Sequence, residues 1–150
     1  MPHSYISIIV HVVFSTKDRK PQIDPALEER LYPYLGGIVR ELGGKLFVVN
    51  GVEDHLHLLA SIAPTMSIAE TVGKIKGSSS KWIHETFPDR SLFAWQRGYG
   101  GFSVSESQVP RVAAYIQRQK AHHNRQSFRD EYVRLLQGHG ISPDERYLWT

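Results

Sequence analysis

Apolar and polar positions along the chain follow two periods, and each change of period marks a new element. Ser4 to Thr16 (SYISIIVHVVFST) is dense in Ile, Val, Tyr and Phe over a stretch too short for a buried helix. It stops at the charged turn Lys17-Asp18-Arg19-Lys20-Pro21, which predicts a first strand. From Pro25 to Leu42 the spacing becomes helical. Leu27, Leu31, Tyr34, Leu35, Ile38, Val39 and Leu42 recur at that spacing, Glu28 and Glu29 stand in the first turn, and Gly43-Gly44 is the stop. Lys45 to Val52 and His55 to Ile62 are two short apolar runs parted by Glu53-Asp54, the pattern of an antiparallel hairpin.

Ser67 followed by Glu70 predicts a capping box and a second helix, with Ile68, Val72, Ile75, Trp82 and Ile83 as its stripe and Pro88 as its end. Lys74, Ser78 and Lys81 fall on a different face of that helix, and Gly77 interrupts its propensity. Ser91 to Val104 mixes aromatics with glycine. It predicts an interrupted fourth strand around Phe93 to Gln96 and Phe102 to Val104. Ser107 can cap a third helix with Pro110 at its third position, running to about His123. An amphipathic segment from Phe128 to Leu136 precedes a Gly- and Pro-containing tail.

The order β-α-β-β-α-β followed by helices predicts an α+β, ferredoxin-like split βαβ fold. Its four-stranded antiparallel sheet would carry two helices on one face and an added C-terminal helix bearing a tyrosine. One domain over residues 1–150 is expected, with a core at about 4–125 and a tail at 126–150 in which no motif is recognised. There is no internal repeat.

Composition narrows the chemistry. The 150 residues include no cysteine, which excludes a disulfide scaffold, a thiolate metal site and a cysteine nucleophile. No apolar run is long enough for a membrane span, and the first residues lack the pattern of a signal peptide, so a cytoplasmic protein is expected. The net charge of +3 is unevenly spread: residues 74–134 carry 11 Lys and Arg against 5 Asp and Glu. That stretch is the polyanion candidate, although a solvated face has the same composition.

His55 and His57 stand at i and i+2 of a strand, so their imidazoles emerge together, as in a two-histidine metal clip. Asp54 next door is a candidate acceptor that would fix a ring tautomer. Tyr115 and Gln119 lie one turn apart on the third helix, with His122 continuing the face. Each pair has a plain alternative: two strand histidines without a metal, and a packed tyrosine beside a solvated amide. His11 either lines the site or satisfies a buried hydrogen bond, the structural role being favoured, while His122 and His123 either touch a polyanion or support Gln119.

Five blocks together resemble the single-tyrosine HUH transposases of bacterial insertion sequences, with the REP-associated tyrosine transposases as close relatives. They are His11-Val12-Val13-Phe14-Ser15-Thr16-Lys17, Asp54-His55-Leu56-His57-Leu58-Leu59, Lys74-Ile75-Lys76-Gly77-Ser78-Ser79-Ser80-Lys81, Trp95-Gln96-Arg97-Gly98-Tyr99, and Tyr115-Ile116-Gln117-Arg118-Gln119 followed by His122-His123. The resemblance implies cleavage and joining of single-stranded DNA through a covalent 5′-phosphotyrosine. Tyr115 matches the nucleophile; His55, His57 and Gln119 match the metal ligands. Mg²⁺ or Mn²⁺ is the expected ion for nitrogen and oxygen ligands facing a phosphate.

Strand binding needs phosphate neutralisation and stacking. Lys74, Lys76, Lys81, Arg97, Arg118 and Lys120 are the expected cations, and Trp95, Tyr99 and Phe102 offer ring faces, although aromatics in such a strand also build cores. The expected partner is single-stranded DNA with hairpins at the ends of the element. The resemblance also implies a homodimer: in family members of this length one subunit's tyrosine helix completes the other's histidine pair, and for this chain both cis and trans action of Tyr115 stay open. The alternatives are a non-catalytic module that binds single-stranded nucleic acid, and a metal-dependent phosphodiesterase with a water nucleophile.

Overall fold

In the computed structural model, which describes residues 4–123 and 126–149, strands β1 (Ile9–Ser15), β2 (Leu46–Val52), β3 (His55–Ser61) and β4 (Gly100–Val104) form one antiparallel sheet in the order β2-β3-β1-β4. Helices α1 (Pro25–Glu41) and α2 (Ile68–Thr86) cover one face. The expected ferredoxin-like arrangement is present. α3 (Val109–Gln117), α4 (Gln119–His122) and α5 (Phe128–Gly138) lie on the opposite side.

Local chemistry accounts for the element ends. Asp24 caps α1 by accepting from the Leu27 amide at 2.9 Å, and Gly43, at φ +83, takes the left-handed conformation that stops it. Ser67 and Glu70 form the reciprocal cap of α2, at 3.0 and 3.2 Å.

Alternation then sorts the strands. Val10, Val12 and Phe14 of β1 and Leu56, Leu58 and Ala60 of β3 join Leu27, Leu31, Leu35, Val72, Ile75 and Ile83 in the main core. The other face carries His11, Val13, His55 and His57, and its apolar contacts come from Ile116 on α3 and from Phe128, Tyr132 and Leu136 on α5.

Two expected boundaries shift. The fourth strand holds only Gly100–Val104, while the Phe93–Gln96 stretch makes a lone bridge between Trp95 and Thr16. Its rings serve the main core: Trp95 packs edge-on to Phe14 and donates its Nε1–H to Ser79 Oγ at 3.0 Å. The third helix is also broken, at Arg118, because Asn50 on β2 donates its Nδ2 hydrogens to the carbonyls of Ile116 (3.0 Å) and Gln117 (3.1 Å). Those carbonyls would otherwise serve the next helical turn.

Candidate active site

β3 projects His55 and His57 onto the face away from α1 and α2, and both side chains are fully buried. Each is gripped at Nδ1. His55 Nδ1 lies 2.8 Å from Asp54 Oδ1, and His57 Nδ1 lies 2.8 Å from His11 Nε2. An imidazole fixed through one nitrogen presents the other in a set direction, so the two Nε2 atoms face a common point. The buried hydrogen-bonding role expected of His11 is present, and Asp54 stands where a tautomer-fixing acceptor is needed.

α3 is held against β2 by Asn50, and Lys120 reinforces the join by donating to Asn50 Oδ1 at 3.0 Å and Glu28 Oε1 at 2.6 Å. Tyr115 is thereby set beside its own chain's histidines, with its ring centroid 6.0 Å from that of His57. Gln119 at the start of α4 turns inward. Its Oε1 is 3.2 Å from His55 Nε2 and 3.0 Å from His123 Nε2.

α5 closes the site. Phe128 stacks on His55 with centroids 3.8 Å apart, and Tyr132 and Leu136 continue the apolar contact towards Phe102 and Val13. A side chain at Gly100 would meet the Tyr132 ring at 2.7 Å, so glycine is what lets α5 approach β4 this closely. One turn into the helix, Glu131 enters the middle of the site at 2% exposure. Its Oε1 is 3.0 Å from His57 Nε2, 3.0 Å from His123 Nε2 and 3.4 Å from His55 Nε2. Its Oε2 accepts from the Tyr115 hydroxyl and, at 2.8 Å, from Gln119 Nε2.

The electrostatics follow from this crowding. Burial lowers the pKa of His57 to about 4 and that of His11 to about 3, so both rings are neutral. Burial also works against a charged His55, but its bonds to Asp54 and Glu131 outweigh that and raise its pKa. Burial favours a protonated Glu131, yet hydrogen bonds from His123, His55 and His57 hold it well below the usual carboxylate range. Burial, together with the adjacent Glu131, raises the Tyr115 phenol above its ordinary value.

His55, His57, Gln119 and Tyr115 therefore meet at one place. The expected DNA-binding cations do not gather there. Lys74 and Lys81 are exposed on α2, across the sheet, and Lys76 is half-buried with its ammonium donating to the carbonyls of Arg97 (3.0 Å) and Gly98 (2.9 Å). Arg97 is exposed beyond the same helix, Arg118 is exposed at the α3–α4 break, and Lys120 is engaged in holding α3. Trp95 and Phe102 are core residues at 8% and 2% exposure, and Tyr99 is half-buried. With α3 to α5 on the second face, the sheet offers, among the described residues, no open aromatic platform of the kind an RNA-recognition domain uses.

A cavity of 690 Å³ opens beside Tyr115, lined in part by His11, Phe102, Arg111, His122, Arg134 and His139. Sequence reading missed Glu131, Arg111 and Arg134. One signal for Glu131 exists: within an amphipathic segment it stands one turn after Phe128 and beside Tyr132, on the apolar stripe where a carboxylate is costly.

Comparison with known proteins agrees with this geometry. A family model described as transposase, IS200 like, matches residues 4–119, and the chain belongs to that family. It is thus an enzyme that cleaves and rejoins DNA. The transposase for insertion sequence element IS200 of Salmonella typhimurium strain LT2 is 28% identical over 128 residues, covering 79% of this chain and 81% of that one. The ISDra2 transposase TnpA of Deinococcus radiodurans is 25% identical over 114 residues, covering 73% and 81%.

Two solved structures share the fold. A provisionally assigned transposase from Deinococcus radiodurans R1 superposes with a TM-score of 0.64 at 24% identity, over 79% of this chain and 96% of the other. A REP-associated tyrosine transposase bound to a REP hairpin gives 0.61 at 12% identity, over 82% and 73%. Membership of a transposase family sets aside the non-catalytic binding module. Among the described residues no helix is long and apolar enough to cross a membrane.

Proposed function

We propose that this transposase cuts and rejoins single-stranded DNA through a 5′-phosphotyrosine on Tyr115, assisted by a divalent ion held by His55, His57 and Gln119. The observation that carries the reading is a convergence: side chains as far apart in sequence as His55 and Gln119, separated by 64 positions, meet within hydrogen-bond distance beside Tyr115. Two imidazole nitrogens and an amide oxygen, the rings oriented by Asp54 and His11, are a donor set that would suit Mn²⁺ or Mg²⁺. Held there, a divalent ion would supply positive charge for the non-bridging phosphate oxygens of the substrate.

The chain's own residues do the rest. Glu131 Oε2 holds the Tyr115 hydroxyl, and the raised phenol pKa keeps it protonated until substrate arrives. In cleavage the Tyr115 oxygen bonds to phosphorus, the bond from phosphorus to the 3′ oxygen breaks, and the phenol proton ends on the departing 3′-hydroxyl. Attack by another 3′-hydroxyl reverses the step without ATP. The strand reaches Tyr115 through the adjacent cavity, where Arg111 and Arg134 neutralise phosphates.

Because Tyr115 already faces its own chain's histidines, it acts in cis, and a homodimer would join two complete sites. The substrate carries hairpins at the element ends, as the REP hairpin of the structural relative suggests, and the reaction takes place in the cytoplasm. The test incubates the protein with oligonucleotides from both flanks of its gene, with Mn²⁺, Mg²⁺ or EDTA. A denaturant-resistant adduct that needs both metal and Tyr115 supports the reading; cleavage without adduct replaces it with a water nucleophile. Mixing Tyr115→Phe with His57→Ala restores no cleavage if action is in cis, whereas restored activity places the tyrosine in trans.

A further inference from the structure

We propose that Glu131 and His123 belong to the metal centre itself: Glu131 Oε1 and His123 Nε2 join His55, His57 and Gln119 around one ion, while Glu131 Oε2 positions the Tyr115 hydroxyl. The proposal rests on the metal reading above and goes beyond it, because it makes α5, a segment with no recognised motif, part of the catalytic centre.

Spacing is the first argument. Ligand atoms about 2.1 Å from one ion stand about 3.0 Å apart when adjacent in an octahedral shell. Glu131 Oε1 is 3.0 Å from His57 Nε2, 3.0 Å from His123 Nε2 and 3.4 Å from His55 Nε2. Gln119 Oε1 is 3.2 Å from His55 Nε2 and 3.0 Å from His123 Nε2. The nitrogens of the three histidines and the Glu131 oxygen all lie within 4.8 Å of one another, which fits ligands of a single ion.

Charge is the second. Glu131 is buried, and among the described residues its ion-pair partners are three histidines with no Lys or Arg. A buried carboxylate with no Lys or Arg beside it is expensive, whereas a divalent ion at the same point offsets its charge. Division of labour is the third: among the described residues Oε1 faces imidazoles, and Oε2 faces the donors Tyr115 and Gln119. A carboxylate shared in this way couples the position of the nucleophile to occupancy of the ion site. Three imidazoles with one carboxylate and one amide also form a softer set than Mg²⁺ prefers, so Mn²⁺ binds more tightly.

Binding of Mn²⁺ alone to the full chain, followed by calorimetry and by electron spin-echo spectroscopy, tests this without any DNA. The expected result is one ion with three coupled histidine nitrogens, two of them remaining in His123→Ala, and affinity weakened about tenfold or more in Glu131→Gln. Wild-type affinity in a folded Glu131→Gln overturns the role of Glu131, and two nitrogens in the wild type overturn that of His123. Should Glu131→Gln not fold, Glu131→Asp replaces it: its shorter reach lowers Mn²⁺ affinity if the carboxylate is a ligand, and unchanged affinity overturns the proposal. Failure of the underlying metal reading looks different, because then His57→Ala binds Mn²⁺ as well as wild type does.

Discussion

The two faces of the sheet are made from the same strands and have opposite characters. Towards α1 and α2, β1 and β3 offer Val10, Val12, Phe14, Leu56, Leu58 and Ala60, which belong to the main apolar core. Towards α3 to α5 they offer His11, His55 and His57, which meet Tyr115, Gln119, His123 and Glu131 in a buried polar network. The first face holds the molecule together by excluded water. The second is a poor core and a good site: buried polar groups are specific in direction, and they cost stability whenever a partner is missing. Family membership as a DNA-cleaving and rejoining enzyme fits a chain that devotes one face to stability and the other to chemistry.

The contrast can be broken from either side. Tyr115→Phe removes one oxygen from the polar face, and we expect strand cleavage to fall by about a thousandfold or more, as for loss of a nucleophile. The thermal midpoint should move little; an adduct still formed by this variant on a denaturing gel would refute the assignment. Leu56→Ala does the opposite from the neighbouring position on the same strand. It empties a fully buried site in the main core and should cost about 2–5 kcal/mol in denaturant unfolding. Whatever fraction stays folded should keep Mn²⁺ affinity.

A smaller loss is expected for Trp95→Phe, about 1 kcal/mol for the hydrogen bond to Ser79 plus some packing. Single-strand affinity, measured by fluorescence anisotropy, should be unchanged, because Trp95 faces the main core; a clear loss would make it a stacking residue. The smallest effect concerns Lys76. Burial lowers its pKa from 10.5 to about 8. Between those values the unfolded chain binds the extra proton, so the contribution of Lys76 to stability rises as pH rises through that window. The difference in melting temperature between wild type and Lys76→Met should move in favour of wild type from pH 7.5 to 9.5, and a constant difference would show that Lys76 has an ordinary pKa.

Much of the architecture is legible along the chain because it is local. Asp24, the Ser67–Glu70 pair and Gly43 act within a turn of where they stand. Period-two alternation in β1 and β3 sorts core from site before any partner is known. Where a long-range contact overrides a local signal, the reading fails. The rings of Phe93 and Trp95 look like strand and are core plugs on an irregular segment. The third helix looks continuous, yet Asn50 draws off its last carbonyls from across the sheet. Long-range contacts of Lys76 and Lys120, to the carbonyls of Arg97 and Gly98 and to Glu28, are likewise invisible along the chain.

The sequence by itself determined the order of the elements, the face on which His55 and His57 stand, and the resemblance that singled out Tyr115 and Gln119. Spacing within one element carries the first two, and a short ordered set of motifs carries the third. Only the tertiary structure decided that α5 docks over that face and sends Glu131 to the point where the imidazoles and the tyrosine converge. The apolar stripe around Glu131 marks it for burial but does not specify its partners. Its position comes from Phe128, Tyr132 and Leu136 packing on β1 and β4, and from partners as many as 76 positions away. Such contacts exist only once the sheet has brought those strands together.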